Sequence, residues 1–149
     1  MMDAVEKQES VQKAIEQEQR KQRISKHNGV PERFKKMTLA DVDVRFQPDD
    51  ENQIRFSDTV KMVEGYIKRF NQVMQDGSSG LFCGDCGTGK TMLACIIVEA
   101  VIQQGYDARY ITAWNMFQEI RMGYRPDCSI SQQVKNLIKP DLLVIDEVG

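Results

Sequence analysis

Gly84-Asp85-Cys86-Gly87-Thr88-Gly89-Lys90-Thr91 satisfies the phosphate-loop pattern GxxxxGK[ST] at every fixed position. The glycines let backbone amides turn inward as a nest for phosphate oxygens, where a Cβ would block close approach. Asp85, Cys86 and Thr88 fill the variable positions. Lys90 reaches β- and γ-phosphates as a point charge, and the Thr91 hydroxyl is a ligand for Mg²⁺. Thr91 also opens a helix, so the positive end of the helix dipole faces the anion. The flanks suit this reading. Gly80-Leu81-Phe82-Cys83 reads as a short buried strand, and Thr91 to Gln104 reads as a buried helix ended by Gly105.

Downstream, Ala108-Arg109-Tyr110-Ile111-Thr112 reads as a second strand. Trp114 to Met122 reads as a helix whose Trp114, Phe117 and Ile120 are expected in the core. Ser129-Ile130-Ser131-Gln132 resembles a capping box that opens a helix through Ile138, stopped by Pro140. Leu142-Leu143-Val144-Ile145 is a continuous apolar run, the pattern of a strand buried on both faces. Asp146 and Glu147 follow it, giving a Walker B pattern. An acid at the carboxyl end of a parallel strand lies where open α/β sheets bind ligands. In that place Asp146 orients Mg²⁺ and Glu147 polarises the attacking water. Asp146-Glu147-Val148-Gly149 also satisfies the GTPase pattern DxxG. The adjacent Glu147, and the order helix, strand, helix, helix, strand between the two motifs, favour successive right-handed βαβ units and an ATPase.

Upstream, residues 3–27 are rich in Gln, Glu and Lys, with acids early and bases late, which complements a helix dipole. Apolar residues there are sparse (Val5, Val11, Ile15, Ile24), so this helix is expected to act as an arm and bury little in its own domain. Asn28-Gly29-Val30-Pro31 ends it. Residues 32–57 read as irregular, anchored by Phe34, Leu39, Val42, Val44, Phe46 and Phe56. Asp58 is expected to cap a helix to about Gln75, with Val63, Tyr66, Ile67, Phe70, Val73 and Met74 at helical spacing. The predicted organisation is therefore an arm (1–27), a linker (28–57) and a partial ATPase domain (58–149).

Composition is that of a soluble globular protein, 41% hydrophobic and 28% charged over 149 residues. No apolar run is long enough to span a bilayer, and the amino terminus lacks a signal-peptide core, so a cytoplasmic location is expected. Four cysteines accord with a reducing compartment. Cys83 and Cys86 form C-x-x-C, but Cys95, Cys128 and His27 supply no second pair for zinc. Cys83 is read as a small hydrophobe ending a strand. A net charge of −2 gives no global attraction to nucleic acid. Arg20, Lys21, Arg23, Lys26, Arg33, Lys35 and Lys36 nevertheless form a basic run, read as a solvated face or a contact for DNA or an acidic partner.

The linker Asn28-Gly29-Val30-Pro31-Glu32-Arg33-Phe34, the phosphate loop, and Asp141-Leu142-Leu143-Val144-Ile145-Asp146-Glu147-Val148-Gly149 together resemble the DnaC-type helicase loaders. Those are AAA+ ATPases related to the IstB transposition helpers, and the likeness covers roughly residues 20–149. The resemblance implies a P-loop α/β fold with a parallel sheet and flanking helices. It implies ATP and Mg²⁺ as cofactors, a replicative DNA helicase as partner through the amino-terminal helix, and loading of that helicase on single-stranded DNA. Self-association of the full-length form is also implied. The family's fourth strand, sensor residues and arginine finger fall after Walker B, so a sheet incomplete at its carboxyl end is expected. Two alternatives stand beside the loader: an IstB-like transposition ATPase, and a non-catalytic truncated product that retains partner or nucleotide binding.

Overall fold

The computed structural model describes residues 4–124 and 129–148; residues 1–3 of the arm, Cys128 and Gly149 lie outside them. The predicted arm is helix α1 (Ala4–His27), whose side chains from Gln8 to Arg20 are all exposed. Its last turns behave differently. Ile24 packs on the core, and Ser25 Oγ donates to Glu99 Oε2 at 3.1 Å.

The chain then turns through Asn28 and Gly29, and here the linker is bound tightly. Asn28 is 2% exposed. Its Nδ2 donates to Glu99 Oε1 at 2.8 Å, and its Oδ1 accepts from the Val30 amide at 2.9 Å. The Asn28 carbonyl accepts from the Tyr110 amide at 2.7 Å. Gly29 sits at φ +82, and a Cβ there would stand 2.1 Å from the Tyr110 carbonyl oxygen. Backbone meets backbone at that point, so only glycine fits.

Three 3-10 turns follow, Glu32–Phe34, Leu39–Asp41 and Val44–Phe46. Phe34, Leu39, Val42 and Val44 lean on the core and Phe56 is buried in it, as anchors should be; the described side chains do not include Phe46. Helix α2 (Asp50–Lys68) begins at Asp50, not after Asp58. Asp49 is its cap, accepting from the Asn52 amide at 2.8 Å, and Asp50 and Glu51 complement the dipole in the first turn. The expected single helix to Gln75 breaks at Arg69 and resumes as α3 (Phe70–Asp76), closed by Gly77 at φ 65. The break carries Phe70 into the core, where its ring meets Tyr106 edge-on at 5.0 Å between centroids. Met74 stays exposed.

Helix α4 (Lys90–Gln103) is the centre of the molecule. Its face toward the sheet meets strands β1 (Ala108–Thr112) and β2 (Leu142–Asp146), and other faces meet α1 and α2. Being covered on several sides, it is apolar all round: Leu93, Ile96, Val98, Val101 and Ile102 are each at most 1% exposed. Burial of each such side chain stabilises the fold by about 2 kcal/mol. Cys95 lies among them at 0% exposure. Burial, with smaller contributions from the charges of Asp146 and Glu99, pushes its thiol up to about 12. Cys83 and Cys86 are exposed. Iodoacetamide at mildly alkaline pH is therefore expected to modify Cys83 and Cys86 within minutes and to spare Cys95 until denaturant is added, as read by peptide mass mapping. Modification of Cys95 at the same rate would contradict its burial.

β1 and β2 pair in parallel, with Ala108 opposite Leu142 and Thr112 opposite Asp146. They are joined through α5 (Ala113–Met122) and α6 (Ile130–Ile138). This is the expected α/β class with a parallel sheet and flanking helices. Four details differ from the sequence reading. The segment Gly80–Cys83 pairs with neither strand, since β2 bonds only to β1 among the described residues. Without a ladder partner it places Phe82 on the core and leaves Leu81 and Cys83 exposed. β2 is half-buried rather than covered on both faces, with Ile145 exposed. Trp114 and Phe117 are 68% and 58% exposed, not core, because α5 rests on β1 through its other side. Ser129 stands at the start of α6 but makes no side-chain cap; its carbonyl accepts from Gln132 and Gln133. Among the described residues no helix is long and apolar enough to cross a membrane.

Candidate functional site

The phosphate loop leads straight into α4. Gly87 at φ 81 and Gly89 at φ 89 take the left-handed conformation, which turns successive amides to one side and makes Gly89 the residue before the helix. Thr88 Oγ1 donates to the Asp85 carbonyl at 2.9 Å and braces the loop from inside. Lys90 Nζ donates to the Gly84 and Asp85 carbonyls at 2.7 and 2.6 Å, which holds the ammonium over the loop. An ammonium has three donors, so one remains for an anion. The structure thus brings the loop and Lys90 together.

The second half of the site arrives on β2. Asp146 ends that strand, and Thr91 Oγ1 donates to its Oδ2 at 2.7 Å. Residues from two motifs far apart in sequence are thereby in direct contact. The Glu147 amide donates to Asp146 Oδ1 at 2.9 Å. Glu147 itself is exposed and sits at φ 56, a conformation that costs a non-glycine residue about 1 kcal/mol. Burial opposes ionisation of Asp146, but bonds from Thr91, Tyr110 and the Glu147 amide, with the charge of Lys90, outweigh it. Its carboxyl is held below the usual range, so it is ionised at neutral pH.

The donor set fits a nucleotide with Mg²⁺. Thr91 gives its one proton to Asp146, which leaves the hydroxyl lone pairs free for a cation. Magnesium ordinarily takes one or two protein oxygens and completes its shell with phosphates and water. Among the described residues no group of three or more His, Cys, Asp or Glu forms a protein-only cage. Thr91 and Asp146 are the pair suited to the open kind of site.

Two residues at the site were not legible as such. Tyr110 Oη donates to Asp146 Oδ2 at 2.8 Å. Its signal lies in the strand register: Tyr110 is opposite Val144, so Asp146 is two residues further along β2, on the same face. Gln47, 8% exposed, donates through Nε2 to the Thr88 carbonyl at 3.3 Å and so ties the linker to the loop. Nothing in the local sequence marks it.

This fold and site define a P-loop nucleotide-binding unit. The chain belongs to the family described as IstB-like ATP binding protein, which it matches over residues 1–149. It is 32% identical over 69 residues, 46% of its length, to the insertion sequence IS1162 putative ATP-binding protein of Pseudomonas fluorescens. It is 25% identical over 130 residues, 86% of its length, to the replicative helicase loader DnaC of Buchnera aphidicola subsp. Schizaphis graminum. To the replicative helicase loader DnaC of Escherichia coli (strain K12) it is 33% identical over 87 residues, 56% of its length. These alignments cover 29%, 49% and 34% of the relatives' own lengths, so the chain spans at most about half of each.

Proposed function

We propose that this chain binds ATP with Mg²⁺ through residues Gly84 to Thr91 and Asp146, as the nucleotide-binding part of a helicase loader of the DnaC type. The observation that carries the nucleotide reading is the 2.7 Å bond between Thr91 and Asp146, which unites the two motifs at one point. The loop amides and Lys90 bind the phosphate chain, and Thr91 and Asp146 orient the cation. The cation, when bound, neutralises charge on the β- and γ-phosphates. Glu147, exposed at the end of β2, is the base that positions water.

The loader role is favoured by the extent of the match, since a DnaC relative aligns over 86% of this chain. By this reading α1 is a partner-binding arm for a replicative helicase, docking through its exposed stretch from Gln8 to Arg20. The basic run from Arg20 to Lys36 is then a contact for single-stranded DNA, and the protein self-associates. The second reading, a transposition ATPase, rests on the match to the IS1162 protein.

The test is ATP binding by titration calorimetry with and without Mg²⁺, beside pull-downs with a replicative helicase and with an insertion-sequence transposase. ATP affinity is expected to rise about tenfold or more with Mg²⁺. Glu147→Gln is expected to keep that affinity within about twofold and to lower ATP turnover by about 10²-fold or more, the size typical of a lost general base. Equal turnover by wild type and Glu147→Gln would remove Glu147 from the chemistry. Retention of the transposase and not of the helicase would select the second reading.

A further inference from the structure

Tyr110 belongs to neither nucleotide motif, yet its phenol reaches the acid on which the Mg²⁺ site depends. Asp146 Oδ2 accepts from both Tyr110 Oη at 2.8 Å and Thr91 Oγ1 at 2.7 Å, while Oδ1 accepts from the Glu147 amide at 2.9 Å. A carboxylate torsion is intrinsically broad, so an unbraced Asp at a strand end swings between orientations. Three donors on two oxygens remove that freedom. Of the three, only Tyr110 comes from a part of the chain that neither holds the phosphates nor adjoins Asp146.

Tyr110 is itself rigidly placed. The residue is 6% exposed. Its amide donates to the Asn28 carbonyl at 2.7 Å, and its carbonyl lies against Gly29. The ring alone would fill the same space as phenylalanine. The hydroxyl adds only the bond to Asp146, which burial of the ring does not require.

We propose that Tyr110 is a positioning residue for the metal site, holding the Asp146 carboxylate in the orientation that Mg²⁺ and its waters require. This rests on the nucleotide reading above and assigns a residue that neither motif supplies. Outer-shell partners of this kind set metal affinity through the orientation of the group they brace. Tyr110 also joins the linker to the site, because the same residue carries the Asn28 bond on its backbone and the Asp146 bond on its side chain.

The experiment compares the wild-type chain with Tyr110→Phe, using a fluorescent N-methylanthraniloyl ATP analogue as probe. Affinity is measured first in EDTA and then across a Mg²⁺ titration, with thermal melts of both proteins alongside. Tyr110→Phe is expected to bind the analogue in EDTA as wild type does, within about twofold, and to need roughly tenfold more Mg²⁺ for half of the Mg²⁺-dependent gain. Tyr110→Leu, which removes the ring as well, is expected to lower the melting temperature in addition. An unchanged Mg²⁺ titration for Tyr110→Phe would overturn the proposal. So would an equal loss with and without Mg²⁺, which marks a purely structural role. A wild-type chain that shows no Mg²⁺-dependent gain would instead overturn the nucleotide reading, and the assignment of Tyr110 with it.

Discussion

Gly29→Ala is expected to cost about 3–5 kcal/mol of folding stability, among the largest effects a single methyl group can have. Two terms add. The first is conformational: at φ +82 an alanine is strained by about 1 kcal/mol. The second is steric, since the new Cβ would stand 2.1 Å from the Tyr110 carbonyl oxygen, an atom of a paired strand with no rotamer to escape into. Linker and strand must separate, which breaks the 2.7 Å bond from the Tyr110 amide to Asn28. Separation also pulls Asn28 from Glu99, leaving a buried carboxylate short of a donor. Gly77→Ala is the internal control. Gly77 sits at φ 65, and a methyl group added there would meet nothing within 4 Å, so that variant is expected to lose only about 1 kcal/mol. Urea denaturation of both variants measures the difference. Equal losses would mean that the contact with Tyr110 imposes no constraint.

Lys90→Ala is expected to weaken ATP binding by roughly a hundredfold, about 3 kcal/mol, without unfolding the chain. Lys90 is held over the loop by the Gly84 and Asp85 carbonyls, so its charge is in place before any phosphate arrives. Charge-assisted bonds to phosphate are worth about 1.5–3 kcal/mol each, and the alanine forfeits them. Stability should move little, within about 0.5 kcal/mol, because the lost contacts are to exposed loop carbonyls. Lys90→Arg should recover part of the affinity, as its charge is kept but its planar fork does not match a site shaped around a point charge. Calorimetric titration with ATP reads all three proteins. An affinity unchanged in Lys90→Ala would remove this loop from nucleotide binding.

The site and the fold were legible to different depths. The loop, Lys90, Thr91 and the acid pair Asp146-Glu147 could be picked out of the chain because the two motifs set residue types at fixed spacings. The buried helix α4 was equally plain, since a run from Met92 to Val98 without a polar residue has nowhere to go but a core. Reading failed where neighbours decide. Trp114 and Phe117 have the periodicity of core residues, yet only the placement of α5 on the sheet determines which side is covered. Gly80–Cys83 has the composition of a strand, but a strand exists only with a partner. Asp58 was a plausible cap, and Asp49 was chosen because its carboxylate meets a free helix amide.

By itself, then, the sequence determined the phosphate-loop pattern, the α/β class and the polar amino-terminal helix, because these rest on local spacing, composition and backbone freedom. Only the tertiary structure decided that Thr91 touches Asp146 and that Tyr110 braces the same carboxylate. It also decided that Asn28 and Gly29 bind the linker to strand and helix. Each of these joins segments dozens of residues apart, and parallel pairing of β1 with β2, packed on α4, is what brings them within hydrogen-bonding distance.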